Sequence, residues 1–248
     1  MHARRKKKVL IPAIAAALVA GGCVAAGVGS SADAAVATTI PLTFTNNSGR
    51  SDQVYIYDIG TLLSTGQQGW ADANGTFHAW PAGAQPPIPA PDASIAGPAN
   101  GKSLTLRMPQ FSGRVYFSYG QKLIFKLTTG GLVQPAVQNP NDPNENILFN
   151  WTEYTLNPSG LWINSTQVDM FSAPYAVGVK LSDGTTKSTG HLKPGGYTNF
   201  FNALRGQPGG WANLIQTRSD GTAITRVAMS VLDIATTVTA QPGPGLTN

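Results

Sequence analysis

Apolar and polar residues alternate in short runs along most of the chain. Leu104 and Leu106 are interleaved with Ser103, Thr105 and Arg107, the period-two signature of a strand with one buried face. Leu123, Phe125 and Leu127 share one face of the run Lys122–Leu127, with Lys122 and Lys126 on the other. That run and Arg114–Ser118 flank Tyr119-Gly120-Gln121, so the two are expected to form a hairpin. Thr39–Phe44 runs into the turn cluster Asn46-Asn47-Ser48-Gly49, and Val54–Tyr57 is expected to stop at Gly60. Further strands are predicted at Leu161–Asn164, Gln167–Phe171, Tyr175–Leu181 and Leu214–Thr217, with turns at Asp183-Gly184 and Asp220-Gly221. A single helix is predicted, because Tyr197, Phe200, Phe201 and Leu204 fall at i, i+3, i+4 and i+7 and Gly206 follows. Many short strands and one helix imply a mainly β fold, an antiparallel sandwich or barrel. Trp80–Asn100 is dominated by Pro and Ala and reads as a long surface loop, and the Gly/Pro-rich end Ala235–Asn248 as a frayed tail.

Charge alters this picture mainly at the amino end. The 248 residues carry 17 Lys and Arg against 12 Asp and Glu. Five of the bases, Arg4, Arg5, Lys6, Lys7 and Lys8, precede an apolar run from Val9 to Val28 that ends near Ala32-Asp33-Ala34. A charged start, an apolar stretch and an A-x-A site define a secretory signal peptide over residues 1–34. Pro12 and several glycines break the run, which argues against a permanent membrane anchor. Without this segment 12 bases face 11 acids, too even a balance for a polybasic nucleic-acid binder. Cys23, the only cysteine, leaves with the leader, and Ala20 three positions before it fits a lipid-anchoring signal poorly. The remaining chain is expected to be extracellular without disulfides, and it holds no Cys nucleophile or Cys metal ligand.

Little other chemistry survives elimination. His78 and His191 are far apart and outside metal-ligand spacings, and no G-x-S-x-G elbow is present. Of the 12 acids only Glu145 and Glu153 are glutamates. Glu145 follows a turn-rich stretch, whereas Glu153 lies among Phe149, Trp151 and Tyr154. Asp169 follows at the end of a strand-like run, with Thr155, Asn157, Trp162, Asn164 and Thr166 between. A protonated acid and an ionised carboxylate are what glycoside hydrolysis needs, and hydroxyls, amides and an indole suit a sugar. A strand with one solvated Glu and one turn Asp fits the same pattern. A simple hairpin at Asn157–Gly160 would offset Glu153 and Asp169 by about five residues, roughly 16 Å, so proximity requires a less regular connection. Trp70, Trp80 and Trp211 read as packing residues.

Longer words add a resemblance. Leu127–Pro140, Asn150–Thr155 (NWTEYT), Gly160–Asp169 (GLWINSTQVD) and Phe171–Gly178 are similar to the glycoside hydrolase family 64 β-1,3-glucanases, as are Gly190–Tyr197, Leu42–Ser48 and Tyr116–Gly120. The resemblance implies a thaumatin-like antiparallel β core with a small α/β second lobe, here incomplete. It spans a catalytic domain at 35–225, before a divergent tail at 226–248. It implies a secreted hydrolase that cleaves β-1,3-glucan of the laminarin or curdlan type with inversion and releases short oligosaccharides. Glu153 falls on the general acid and Asp169 on the general base, which inversion places about 6.5–9.5 Å apart. Thr155, Asn157, Trp162 and Thr166 fall on positions that contact glucose units. No metal or organic cofactor is implied, and the partner is a β-1,3-glucan bound by a monomer, not nucleic acid or membrane. Family members continue further than this chain, so a non-catalytic glucan-binding protein or an inactive fragment is the alternative.

Overall fold

The computed structural model describes residues 38–226 except Gln138, Thr166, Val168 and Ser182. The segment 1–34 expected to be a leader and the residues from 227 onward lie outside the described residues, as does Val168 within the predicted strand 167–171. The strands in chain order begin with β1 (Thr39–Asn46), β2 (Val54–Leu62), β3 (Gln67–Ala71), β4 (Phe77–Ala79), β5 (Ile88–Pro89) and β6 (Ile95–Ala96). They continue with β7 (Lys102–Pro109), β8 (Phe111–Tyr119), β9 (Lys126–Thr128), β10 (Gly131–Val133), β11 (Leu148–Asn157) and β12 (Gly160–Asn164). After these come β13 (Met170–Phe171), β14 (Gly178–Lys180), β15 (Thr186–Ser188), helix α1 (Gly196–Gly206), β16 (Ile215–Thr217) and β17 (Ala223–Arg226). The fold is mainly β and antiparallel, as the alternation implied.

A central sheet has the order β12-β11-β8-β2-β3-β4, with β6 also paired to β2. Because side chains alternate across a strand, each face collects one parity of β2, β8 and β11. Val54, Ile56, Val115, Phe117, Tyr154 and Leu156 cover one face and pack against Leu42, Phe44, Leu104, Leu106 and Met108 of the β1/β7 pair. Tyr57, Ile59, Tyr116, Phe149 and Trp151 cover the other and pack against Leu123, Phe125, Leu132 and Met170. The three-stranded sheet β10-β9-β5 lies along this second cluster. Each fully buried Leu, Ile or Phe contributes about 1.5–3 kcal/mol of transfer free energy, so the two clusters hold the central sheet from both sides.

Three sequence expectations change. Arg114–Ser118 and Lys122–Leu127 do not pair. Both edges of β8 are taken, one by β2 and one by β11, and a strand has only two edges. The alternation in the second run is still obeyed, since Leu123, Phe125 and Leu127 are all buried; β9 there pairs with β10 and β5 instead. The strand from Val54 does not stop at Gly60. Gly60 stays in the ladder opposite Gly113 and Gly69, and a Cβ on it would stand 2.3 Å from the Phe111 ring. The glycine therefore makes room for an aromatic lying over the strand. Met170–Phe171 of the predicted strand 167–171 forms β13, and the predicted strand at 175–181 shrinks to β14. Trp80–Asn100 is a loop studded with β5 and β6.

The helix forms where the apolar spacing placed it. Phe201 is buried, and Tyr197, Phe200 and Phe201 close around the ring of Phe171 at centroid distances of 5.7, 4.4 and 5.9 Å. This aromatic group ties α1 to the small sheet β13-β17-β16. The turns at Asp183-Gly184 and Asp220-Gly221 are also present, with positive φ at both glycines.

Candidate active site

The buried cluster on the second face of the central sheet gives way to polar residues toward the β11–β12 hairpin. Register fixes which side chains meet there. Arg114, Glu153 and Asn164 stand side by side on β8, β11 and β12, and Ser112, Thr155 and Trp162 form the next row. Residues paired across antiparallel strands share a face, so all six project into one space. They line an open groove of about 740 Å³.

The hairpin that carries the groove is closed by its own sequence. Asn157 and Gly160 pair directly, and the Asn157 side-chain oxygen accepts the Ser159 N–H at 2.7 Å. This Asx turn, with φ +145° at Gly160, holds Asn157 at the tip. Trp162 is 54% exposed, an indole left open on a polar wall. Thr155 Oγ1 lies 2.8 Å from Ser112 Oγ.

Glu153 is held by charge. Arg114 donates to its Oε1 from Nε at 3.0 Å and from Nη2 at 2.9 Å. Asn164 Nδ2 approaches the other oxygen, Oε2, at 3.5 Å. The Arg114 guanidinium also lies 5.1 Å from the Trp151 ring centroid. Its Nη1 donates to the Tyr116 hydroxyl at 3.1 Å and to Gln134 Oε1 at 3.3 Å, and Tyr116 donates to Gln134 Oε1 at 2.6 Å. Burial pulls the Arg114 pKa down, but Tyr116 and Glu153 outweigh it and the net direction is up. Sequence placed Glu153 among three aromatic rings. The strand parity leaves only Phe149 and Trp151 on its face, while Tyr154 turns to the opposite face and bonds Asp58. Glu153 is thus half-exposed and ion-paired rather than enclosed.

Asp169 follows β12 by five residues and directly precedes β13. β12 ends at Asn164, the partner of Glu153, and Gln167, Ala173 and Tyr175 contact β11 beyond it. Asn150 Nδ2 donates to Gln167 Oε1 at 3.2 Å and to the Ala173 carbonyl at 3.0 Å, and the Tyr175 hydroxyl donates to the Trp151 carbonyl. Met170, next to Asp169, is buried with Tyr116, Phe149 and Trp151. Both carboxylates act on one phenol: burial first raises the Tyr116 pKa, and the charges of Glu153 and Asp169 push it further, against Arg114. Tyr116 is therefore held as a neutral hydroxyl.

Of the residues singled out from sequence, the structure brings Glu153, Thr155 and Trp162 into the groove, puts Asn157 at the hairpin tip and leaves Asp169 outside the groove lining, its charge felt at Tyr116. Thr166 lies outside the described residues. Among the described residues no group of three or more His, Cys, Asp or Glu side chains could hold a metal ion. Sequence reasoning missed Ser112, Arg114 and Gln134. Arg114 carried a usable signal: it is a lone cation inside an apolar strand, where a partner carboxylate is required.

Hydroxyls, carboxamides, carboxylates and an exposed indole on one face of a β-sheet make an open groove of the class that suits a polysaccharide chain. The profile of glycoside hydrolase family 64, described as beta-1,3-glucanase, matches residues 38–237, and the chain belongs to that family. It is 58% identical over 214 residues to proteins named glucan endo-1,3-beta-glucosidase from Cellulosimicrobium cellulans and from Arthrobacter sp. (strain YCWD3). Those matches cover 86% of this chain and 38% of each relative. A solved laminaripentaose-producing beta-1,3-glucanase, in complex with laminaritetraose, is 70% identical with a TM-score of 0.76. That match covers 82% of this chain and 55% of the solved one. The family 64 domain from Clostridium beijerinckii, 24% identical with a TM-score of 0.59 over 79% of this chain and 57% of its own, shares the fold.

Proposed function

We propose that this chain is a secreted hydrolase of β-1,3-glucan that works with inversion, with Glu153 as general acid and Asp169 as general base. The observation that carries the reading is Glu153, gripped by Arg114 in a groove edged by Trp162. Inversion needs a proton on one face of the scissile bond and an activated water on the other. Both guanidinium bonds fall on Glu153 Oε1. Oε2 has only the long Asn164 contact among the described residues, so Oε2 is the oxygen that delivers the proton to the glycosidic oxygen. Water attacks the anomeric carbon from the opposite side and gives its proton to Asp169. The carbon–oxygen bond to the leaving sugar breaks, and the new reducing end has the inverted configuration. Glu153 ends the cycle ionised and Asp169 protonated, and exchange with solvent resets them. Trp162, Thr155, Asn157 and Thr166 hold glucose units, and short oligosaccharides leave.

The test uses the protein purified from a culture supernatant, where mass measurement should find the leader removed near Ala34. Incubation with laminarin and curdlan should release soluble oligosaccharides, and proton NMR of the first products should show the α-anomer. Glu153→Gln and Asp169→Asn should each lower release at least about a hundredfold while still pelleting with curdlan. Pelleting by the unaltered chain without release of reducing ends would make it a glucan-binding protein, and a β-anomer first product would remove the inverting mechanism.

A further inference from the structure

A second, smaller cavity of about 120 Å³ shares Ser112 and Gly113 with the catalytic groove and extends from them toward β3. Register shows why the two are continuous. Trp162 pairs with Thr155, Thr155 with Ser112, Ser112 with Thr61, and Thr61 with Gln68. These five side chains form one straight row across β12, β11, β8, β2 and β3, all on the same face. Four strand spacings of about 4.8 Å make the row ~19 Å long. It carries three hydroxyls and a carboxamide, and an indole stands at each end. At the far end that indole is Trp80, whose backbone N–H bonds the Gln68 carbonyl at 3.1 Å and whose ring lies 4.3 Å from Trp70. Sequence reading took Trp80 as a packing residue; it packs on Trp70 and also walls the cavity.

We infer that Thr61, Gln68, Trp80 and Gln134 form a distal subsite for a glucosyl unit, so that the glucan chain lies across the strands from Trp162 to Trp80. This rests on the proposed glucan reading and extends it to residues that it does not assign. Two features fit a sugar there. The Trp80 indole walls the cavity beside Thr61 and Gln68, so an apolar ring stands next to a hydroxyl and a carboxamide, as a pyranose requires. Gln134 spends its oxygen on Tyr116 and Arg114, so its amide hydrogens remain for a ligand. The subsite therefore touches, through Gln134, the same network that holds Glu153.

The test measures binding by calorimetry in the Glu153→Gln background, which prevents turnover. Laminaritriose and laminarihexaose are titrated into that protein and into versions that add Thr61→Val or Trp80→Phe. Thr61→Val keeps side-chain shape while removing a hydroxyl, and Trp80→Phe trims the indole to a single ring. Laminarihexaose should bind the parent more tightly than laminaritriose. Each added change should weaken laminarihexaose about three- to tenfold, the worth of one hydrogen bond for Thr61→Val and of lost ring contact for Trp80→Phe, and leave laminaritriose within twofold. Equal weakening of both oligosaccharides, or no weakening of either, overturns the subsite while the glucan reading stands. Failure of the parent to bind either oligosaccharide overturns both.

Discussion

Arg114 places two of its guanidinium nitrogens on one oxygen of Glu153, at 2.9 and 3.0 Å, while its third bonds Tyr116 and Gln134. The fork thus fixes the carboxylate and leaves its second oxygen toward the groove. A lysine would keep the charge but not the fork or the flat face over Trp151. Arg114→Lys should lower kcat for laminarin about ten- to a hundredfold through misplacement of the proposed acid. KM should change little and thermal unfolding hardly at all, since the pair is partly solvated. Steady-state kinetics beside a melting curve decide it; a fall in Tm matching the loss of activity would point to a structural role.

Trp162 is opposite Thr155 and mostly solvent-exposed. An exposed indole adds little to the fold but offers an apolar face to a pyranose ring. Removing it should cost binding of about 1–2 kcal/mol, from ~50–80 Å² of apolar surface at the usual transfer coefficient. Trp162→Ala should therefore raise KM, and the Kd for oligosaccharides, about five- to thirtyfold with an unchanged melting temperature. Unaltered oligosaccharide affinity would take Trp162 out of the binding wall.

How far the sequence revealed this site depends on the range of each signal. Local signals read correctly: the alternation in Ser103–Arg107 and the i, i+3, i+4, i+7 apolar residues of α1 both became the expected elements. Strand pairing did not read correctly at β8, because nothing in Tyr119-Gly120-Gln121 shows that β2 and β11 occupy both of its edges. The same limit applies to the site. Glu153, Thr155 and Trp162 lie within one hairpin and could be grouped from sequence. Ser112, Arg114, Gln134 and Thr61 meet them only through long-range register, and that register is set by the whole core. Gly60 failed for a related reason. As a local signal it marks a stop, but the Phe111 ring that it accommodates comes from another strand.

Asp58 lies behind the groove on β2, buried between the central sheet and the β1/β7 pair, and both its oxygens accept from the Tyr154 hydroxyl at 3.0 and 3.1 Å. Burial raises its pKa to about 8, and the Tyr154 bond only partly opposes that. The unfolded chain releases this proton near the ordinary Asp value of about 3.9, so between there and about 8 the folded state holds a proton that the unfolded state has lost. Stability from this group is greatest below the unfolded value, falls as pH rises through that window, and reaches its lowest level above the folded value. Asp58→Asn keeps the size and one acceptor for Tyr154 but has no charge to bury. The variant should match or fall slightly below the parent at pH 5 and exceed it at pH 9, so the two curves of urea midpoint against pH should converge or cross on the acid side. Parallel curves across that range would mean that Asp58 does not change protonation on unfolding.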